Sequence, residues 1–153
     1  MSGRQRTNLG PAGRRWFRDR FGEPPGPIHV SQLHPAEESP TGQPAWWFEV
    51  PQREVGGWHQ ADIFLVYQSF NDPDEFGCLR IPAAFFPACR DYLDFRRAKN
   101  CYSLILSAQA RDRFVDRRTR GHIRFAPFAW NAQLAGSGLE SSALLFLRVS
   151  QSC

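Results

Sequence analysis

The chain has 153 residues and a mass near 17.5 kDa, the size of one ordinary domain. With 42% apolar and 14% aromatic residues it can build a core, which excludes wholesale disorder. No apolar run approaches the roughly 20 residues a membrane helix needs, so no membrane role is expected, and the net charge is only +4.

That charge is segregated. Residues 1–20 carry six Arg and one Asp, a charge of +5; residues 21–80 carry two Arg and nine acids, −7; residues 81–153 carry ten Arg, one Lys and five acids, +6. Basic blocks of this kind attract anionic partners, nucleic acid among them, or pair with the acidic block across a folded surface. All the basic residues but Lys99 are Arg. A GC-rich coding sequence has the same effect without regard to function.

In chain order, residues 1–14 read as a basic tail. Trp16, Phe17 and Phe21 form a short amphipathic turn. A run of Pro and Gly at 22–27 follows, in which proline removes backbone donors and fixes φ. Residues 28–33 read as a short extended piece and 35–44 as linker. The compact domain is expected over 44–130, with 1–43 as a flexible tail and linker, and 131–153 as a Gly/Ser linker with a terminal strand or short helix at 143–149.

Within the domain, Trp46-Trp47-Phe48-Glu49-Val50 reads as a strand. Asp62–Gln68 (DIFLVYQ) reads as a buried strand, paired as a hairpin with Phe76–Ile81 around the polar turn Asn71-Asp72-Pro73-Asp74-Glu75. Residues 83–97 predict a helix through Phe85, Phe86, Cys89 and Leu93, with Pro87 confined to its first turn. Tyr102–Leu106 predicts a strand. Residues 108–118 predict a second helix, capped by Ser107 and stopped by Gly121. His122–Phe125 predicts a further strand. The fold class is therefore α+β: a mostly antiparallel sheet of about four to six strands with one or two helices packed on a face.

Most familiar chemistries are missing from the sequence. The only lysine, Lys99, stands in Arg97-Ala98-Lys99-Asn100, so the Gly-Lys-Ser/Thr of a P-loop is absent. GxGxxG, GxSxG and HExxH are absent. The segments Asp62–Tyr67 and Leu79–Pro82 look slightly like a hairpin of some metal-dependent nucleases. Those enzymes need Glu/Asp-x-Lys, and Arg97 stands two residues before Lys99. Cys78, Cys89, Cys101 and Cys153 form no CxxC and lie far in sequence from the four histidines, so no metal site and no cofactor is expected. Asp72, Asp74 and Glu75 lack the continuation of a calcium loop. The N-terminus carries no hydrophobic stretch after its arginines, so reduced thiols and a cytoplasmic location are expected.

The densest chemistry is Arg111-Asp112-Arg113-Phe114-Val115-Asp116-Arg117-Arg118-Thr119-Arg120. On a helix, Arg113, Asp116, Arg117 and Arg120 share a face, where Arg forks meet phosphates or simply pair with the acids. Arg113, Arg117, Arg118 and Arg120 are the candidate nucleic-acid or anion contacts. Trp46, Trp47 and Trp58 are candidates for stacking or for the core. His59 beside Asp62 is the one acid/base pair suggested by proximity. The leading expectation is a small soluble interaction or accessory module without catalysis, its partner another protein or a second copy. The alternatives are a nucleic-acid binder using the arginines and a hydrolase or nuclease-like fold with an unfamiliar site.

Overall fold

The computed structural model describes residues 8–56, 61–118 and 122–131. It is an α+β fold with antiparallel and mixed sheets. The helices are α1 (Gly10–Phe21) and the single turn α2 (Phe85–Ala88). The strands are β1 (Ile28–Ser31), β2 (Leu33–His34), β3 (Ala45–Pro51), β4 (Ile63–Gln68), β5 (Phe76–Ile81), β6 (Asp94–Arg96), β7 (Cys101–Ser107), β8 (Val115–Asp116), β9 (Ile123–Arg124) and β10 (Ala129–Trp130).

Two four-stranded sheets face each other. The first runs β1-β4-β5-β10 and the second β2-β3-β7-β6, with β8-β9 as a separate ribbon. Only β1 with β4 is a parallel pair; the other ladders are antiparallel. One extended stretch serves both sheets: β1 belongs to the first and β2, two residues on, to the second. Gln32 is the corner. There the Ser31 hydroxyl accepts the Trp47 N–H at 2.9 Å, and the Leu33 N–H reaches the Gln68 side chain at 2.9 Å.

Strand alternation sorts the side chains. On β3, Trp46, Phe48 and Val50 turn inward while Trp47 and Glu49 are exposed. They meet Ile63, Leu65, Leu79 and Ile81 of the first sheet, and Tyr102, Leu104 and Leu106 of the second, with Phe85, Phe86 and Phe125 closing one end. The other face of β4, Phe64 and Val66, belongs to a second cluster with Phe17 and Cys78. This is why the β4 sequence is apolar without a gap: both of its faces are covered. Gly77 is required beneath Tyr67, because a Cβ there would lie inside the tyrosine ring.

Three expectations are corrected. Residues 8–43 are not all tail and linker: they supply α1, β1 and β2. Pro11 fits the first helical turn, and Gly22, at φ 79°, ends the helix as its N–H bonds the Arg18 carbonyl at 2.9 Å. Phe17 is wholly buried against Phe64.

The helix expected at 83–97 is only α2, followed by a 3₁₀ turn at Arg90–Tyr92 and then β6. Cross-strand pairing of Asp94–Arg96 with β7, and the Phe95 ring against Tyr102, override a helical apolar spacing. The helix expected at 108–118 is a 3₁₀ turn at Ala110–Asp112 followed by β8, with Phe114 at φ 64° between them. Ser107 does accept the Gln109 N–H, as an N-cap would, but its own hydroxyl donates to Asp112 and no helix follows.

The reason lies along the β7 edge. β6 pairs only with Cys101–Ser103. Beyond it, the free backbone groups of β7 are met by the 112–118 segment. Phe114 N–H bonds the Ser107 carbonyl at 2.8 Å, and the Ile105 N–H donates to Asp116 Oδ2 at 3.1 Å. The Arg118 guanidinium donates to the Ser103 carbonyl at 3.1 Å. Side chains complete an edge that a strand leaves unfinished, which a buried backbone requires. The terminal element at 143–149 lies outside the described residues, and no described helix is long and apolar enough to cross a membrane.

Candidate functional site

The turn at Ala110–Asp112 and the β8-β9 ribbon enclose a cleft of about 510 Å³. Its walls carry Arg111, Arg113, Arg117 and Arg124, with His122, one carboxylate from Asp112, and Ala110, Val115 and Ala126 as the apolar floor. The ribbon explains the grouping. Val115 pairs with Arg124 and Asp116 with Ile123, so the first pair faces the cleft. Ile123 joins the core and Asp116 is fully buried.

The four arginines differ in what holds them. Arg113 lies over the Phe114 ring at 5.0 Å and also over the rings of Trp46 and Tyr67. Burial pushes the Tyr67 hydroxyl above its usual pKa, and the Arg113 charge opposes the shift. Arg117 pairs with Asp112 through Nε, while the second Asp112 oxygen accepts the Ser107 hydroxyl at 3.0 Å. Arg111, Arg124 and His122 are exposed and make no hydrogen bond or ion pair with other described residues. Phe114 and His122, at φ 64° and 47°, are two of the three described non-glycine residues in the left-handed region. Both flank the cleft, and both conformations carry backbone strain.

Of the candidate anion contacts, the fold therefore brings together Arg113 and Arg117. It does not do so on a helix face, and it adds Arg111 and Arg124. Arg118 is not part of this surface. Its guanidinium is half-buried among Asp116, Asp94 at 3.0 Å and the Ser103 carbonyl. The pairing expected between Asp116 and Arg113 is replaced by Asp116 with Arg118. Arg120 lies outside the described residues.

The suggested acid/base pair is not assembled on the described residues. His59 lies outside them, and Asp62 Oδ2 is held by Arg80 Nε at 2.6 Å, on the β4-β5 hairpin. Sequence reading missed a different pair, His29 Nε2 with Glu54 Oε2 at 2.6 Å, which joins β1 to the turn after β3. It lines none of the described clefts.

Trp47 is 36% exposed and stacks on His34 at 4.4 Å, beside a second cleft bounded by Asn8–Gly10. Trp46 is core, its indole N–H on the Gln68 carbonyl at 2.8 Å. The Asp72 side chain caps the Asp74 N–H in a polar hairpin turn. Cys78, Cys89 and Cys101 are buried, and burial raises the pKa of the Cys78 and Cys101 thiols above the ordinary value. No group of three metal-ligating side chains occurs among the described residues.

Four helix arginines, Arg14, Arg15, Arg18 and Arg20, are exposed on α1. Glu23 and Glu75 engage Arg18 and Arg20, and the Ile28 carbonyl accepts from Arg14 at 3.4 Å. Among the described residues, the 110–126 cleft gathers four arginines around one concave space with a single, already engaged carboxylate. No family model, no curated protein and no solved structure matches the chain.

Proposed function

We propose that the chain is a binding module without catalysis of its own, whose arginine cleft takes an anionic partner. The observation that carries this is a cavity of about 510 Å³ lined by four arginines, whose one carboxylate is already bonded to Arg117 and Ser107. A concave site of this size suits a small ligand or a protruding group of a larger one. Guanidinium forks fit phosphate and carboxylate oxygens in a way an ammonium does not. The buried thiols of Cys78 and Cys101 support a reducing setting.

Thermal unfolding of the full chain in sodium pyrophosphate, against sodium chloride of equal ionic strength, tests the reading. A ligand that binds only the folded state and is present at about a hundred times its Kd raises Tm by roughly 5–10 °C for a chain this size. That rise is expected for the native chain and is expected to vanish in Arg111→Gln/Arg124→Gln. These two side chains make no hydrogen bond or ion pair with other described residues, so the variant keeps its Tm in chloride. A native chain with no pyrophosphate-specific rise, or a double variant that keeps it, contradicts the proposal.

A further inference from the structure

Resting on that anion-site reading, we infer that the ligand is an oligophosphate chain, two or more contiguous phosphates recognised through their oxygens alone, and not the base or sugar of a nucleotide.

The lining supports the choice by what it offers. Arg111, Arg113, Arg117 and Arg124 present donors, and His122 adds one more in either neutral tautomer. Its one carboxylate is Asp112, with both oxygens engaged, by Ser107 and Arg117, so few acceptors face the space. A sugar or a nucleobase mixes donors with acceptors and finds few partners for its donors here, which is costly. A phosphate chain is all acceptor, and its several negative charges match several guanidinium groups set close together.

Among the described residues, the lining holds no Phe, Tyr or Trp for stacking. The exposed large aromatics, Trp47, Phe70 and Tyr92, lie outside the lining. The rings nearest to it, Phe114, Trp46 and Tyr67, lie beneath Arg113. Base recognition on single strands depends on such platforms. The floor is Ala110, Val115 and Ala126, small side chains that leave room for phosphates between the arginines.

Arg113 also links the site to the core. A phosphate that draws its guanidinium outward loosens its contacts over the Tyr67 and Trp46 rings. Occupancy should therefore be visible in the protein's own tyrosine and tryptophan absorbance.

The test is calorimetric titration of the full chain, without added metal and at fixed ionic strength, with phosphate, pyrophosphate, tripolyphosphate, ATP, adenosine and an oligothymidylate. Each phosphate that gains a charge-assisted contact raises affinity by about tenfold or more. Expected are a rise of that order from phosphate to pyrophosphate, a further rise to tripolyphosphate, ATP within about threefold of tripolyphosphate, and no binding of adenosine. Arg111→Gln/Arg124→Gln is expected to lose most of the gain. ATP binding tenfold or more tighter than tripolyphosphate would mean that the base is read, overturning the inference while the anion site stands. An oligothymidylate preferred by that margin would also overturn it, in favour of a nucleic-acid backbone. No binding of any phosphate species defeats the inference and the anion-site reading together.

Discussion

Replacing Asp116 with Ala is expected to cost about 3–5 kcal/mol, because it strands a half-buried guanidinium and opens the β7 edge. The carboxylate is fully buried and accepts from the Ile105 N–H, the Arg118 N–H, and the Arg118 Nε and Nη2, all between 3.0 and 3.2 Å. Without it, Ile105 loses its edge partner, and Arg118 keeps only Asp94 and the Ser103 carbonyl. Removing one member of a buried pair costs more than the pair itself contributes, since the surviving charge stays desolvated. Urea unfolding followed by tryptophan fluorescence measures the loss. Lys99→Ala, which removes an exposed cation from an exposed pair with Glu49, is expected to cost about 1 kcal/mol or less. Comparable losses for the two variants would mean that Asp116 is not the hub of this edge.

Phe17→Ala is expected to be nearly as costly, about 3–5 kcal/mol. Phe17 stands on α1 but is wholly buried, with its ring 5.0 Å from both Phe64 and Phe21 and stacked near Trp130. The cavity would open between the helix and the outer face of the first sheet, where Val66 and Cys78 complete the cluster. An exposed helix position without a partner, Arg15, gives the contrast: Arg15→Ala is expected to stay within about 0.5 kcal/mol of the native chain. If Phe17→Ala changes the unfolding midpoint no more than Arg15→Ala does, α1 is an appendage and not a wall of the second core.

These two positions also show where sequence reading succeeds and where it stops. β3, β4, β5 and β7 were legible because each carries its own signal: aromatic and β-branched runs bounded by Pro, Gly or Asp turns. The β4-β5 hairpin followed from the polar turn between them, and the α+β class followed from that order. α1 was missed as an integral element because residues 1–14 read as a basic tail, whereas Gly10 and Pro11 stand in its first turn. The two expected helices failed for one reason. Apolar spacing at 85–93 and Arg-Asp spacing at 111–118 fit helical periodicity, yet residues 94–96 and 112–118 are spent on finishing the edge of β7, and a tertiary demand of that kind leaves no local trace.

The candidate site was half legible. The density of arginine at 111–118 marked the right stretch, but a helical face grouped the wrong members. Asp116 and Arg118 turn inward to close the sheet, and Arg111 turns to the cleft instead. Arg124 joins only through its pairing with Val115, across a chain reversal between β8 and β9. Its signal was the alternation of His122–Phe125, which fixes Arg124 on the face opposite Ile123 and Phe125 but cannot say what lies across from it. His29 and Glu54 meet in the same way through the sheet, 25 residues apart.

The most direct test of the cleft observes the guanidinium groups themselves. In a titration of the ¹⁵N-labelled full chain with sodium pyrophosphate, followed by NMR at the arginine Nε–Hε resonances, Arg111, Arg113, Arg117 and Arg124 are expected to shift together and saturably. Arg80 and Arg118, held by Asp62 and Asp116, are expected to stay in place. Shifts confined to Arg14, Arg15, Arg18 and Arg20 on α1, or no shifts at all, would contradict an anion site between the 110–112 turn and the β8-β9 ribbon.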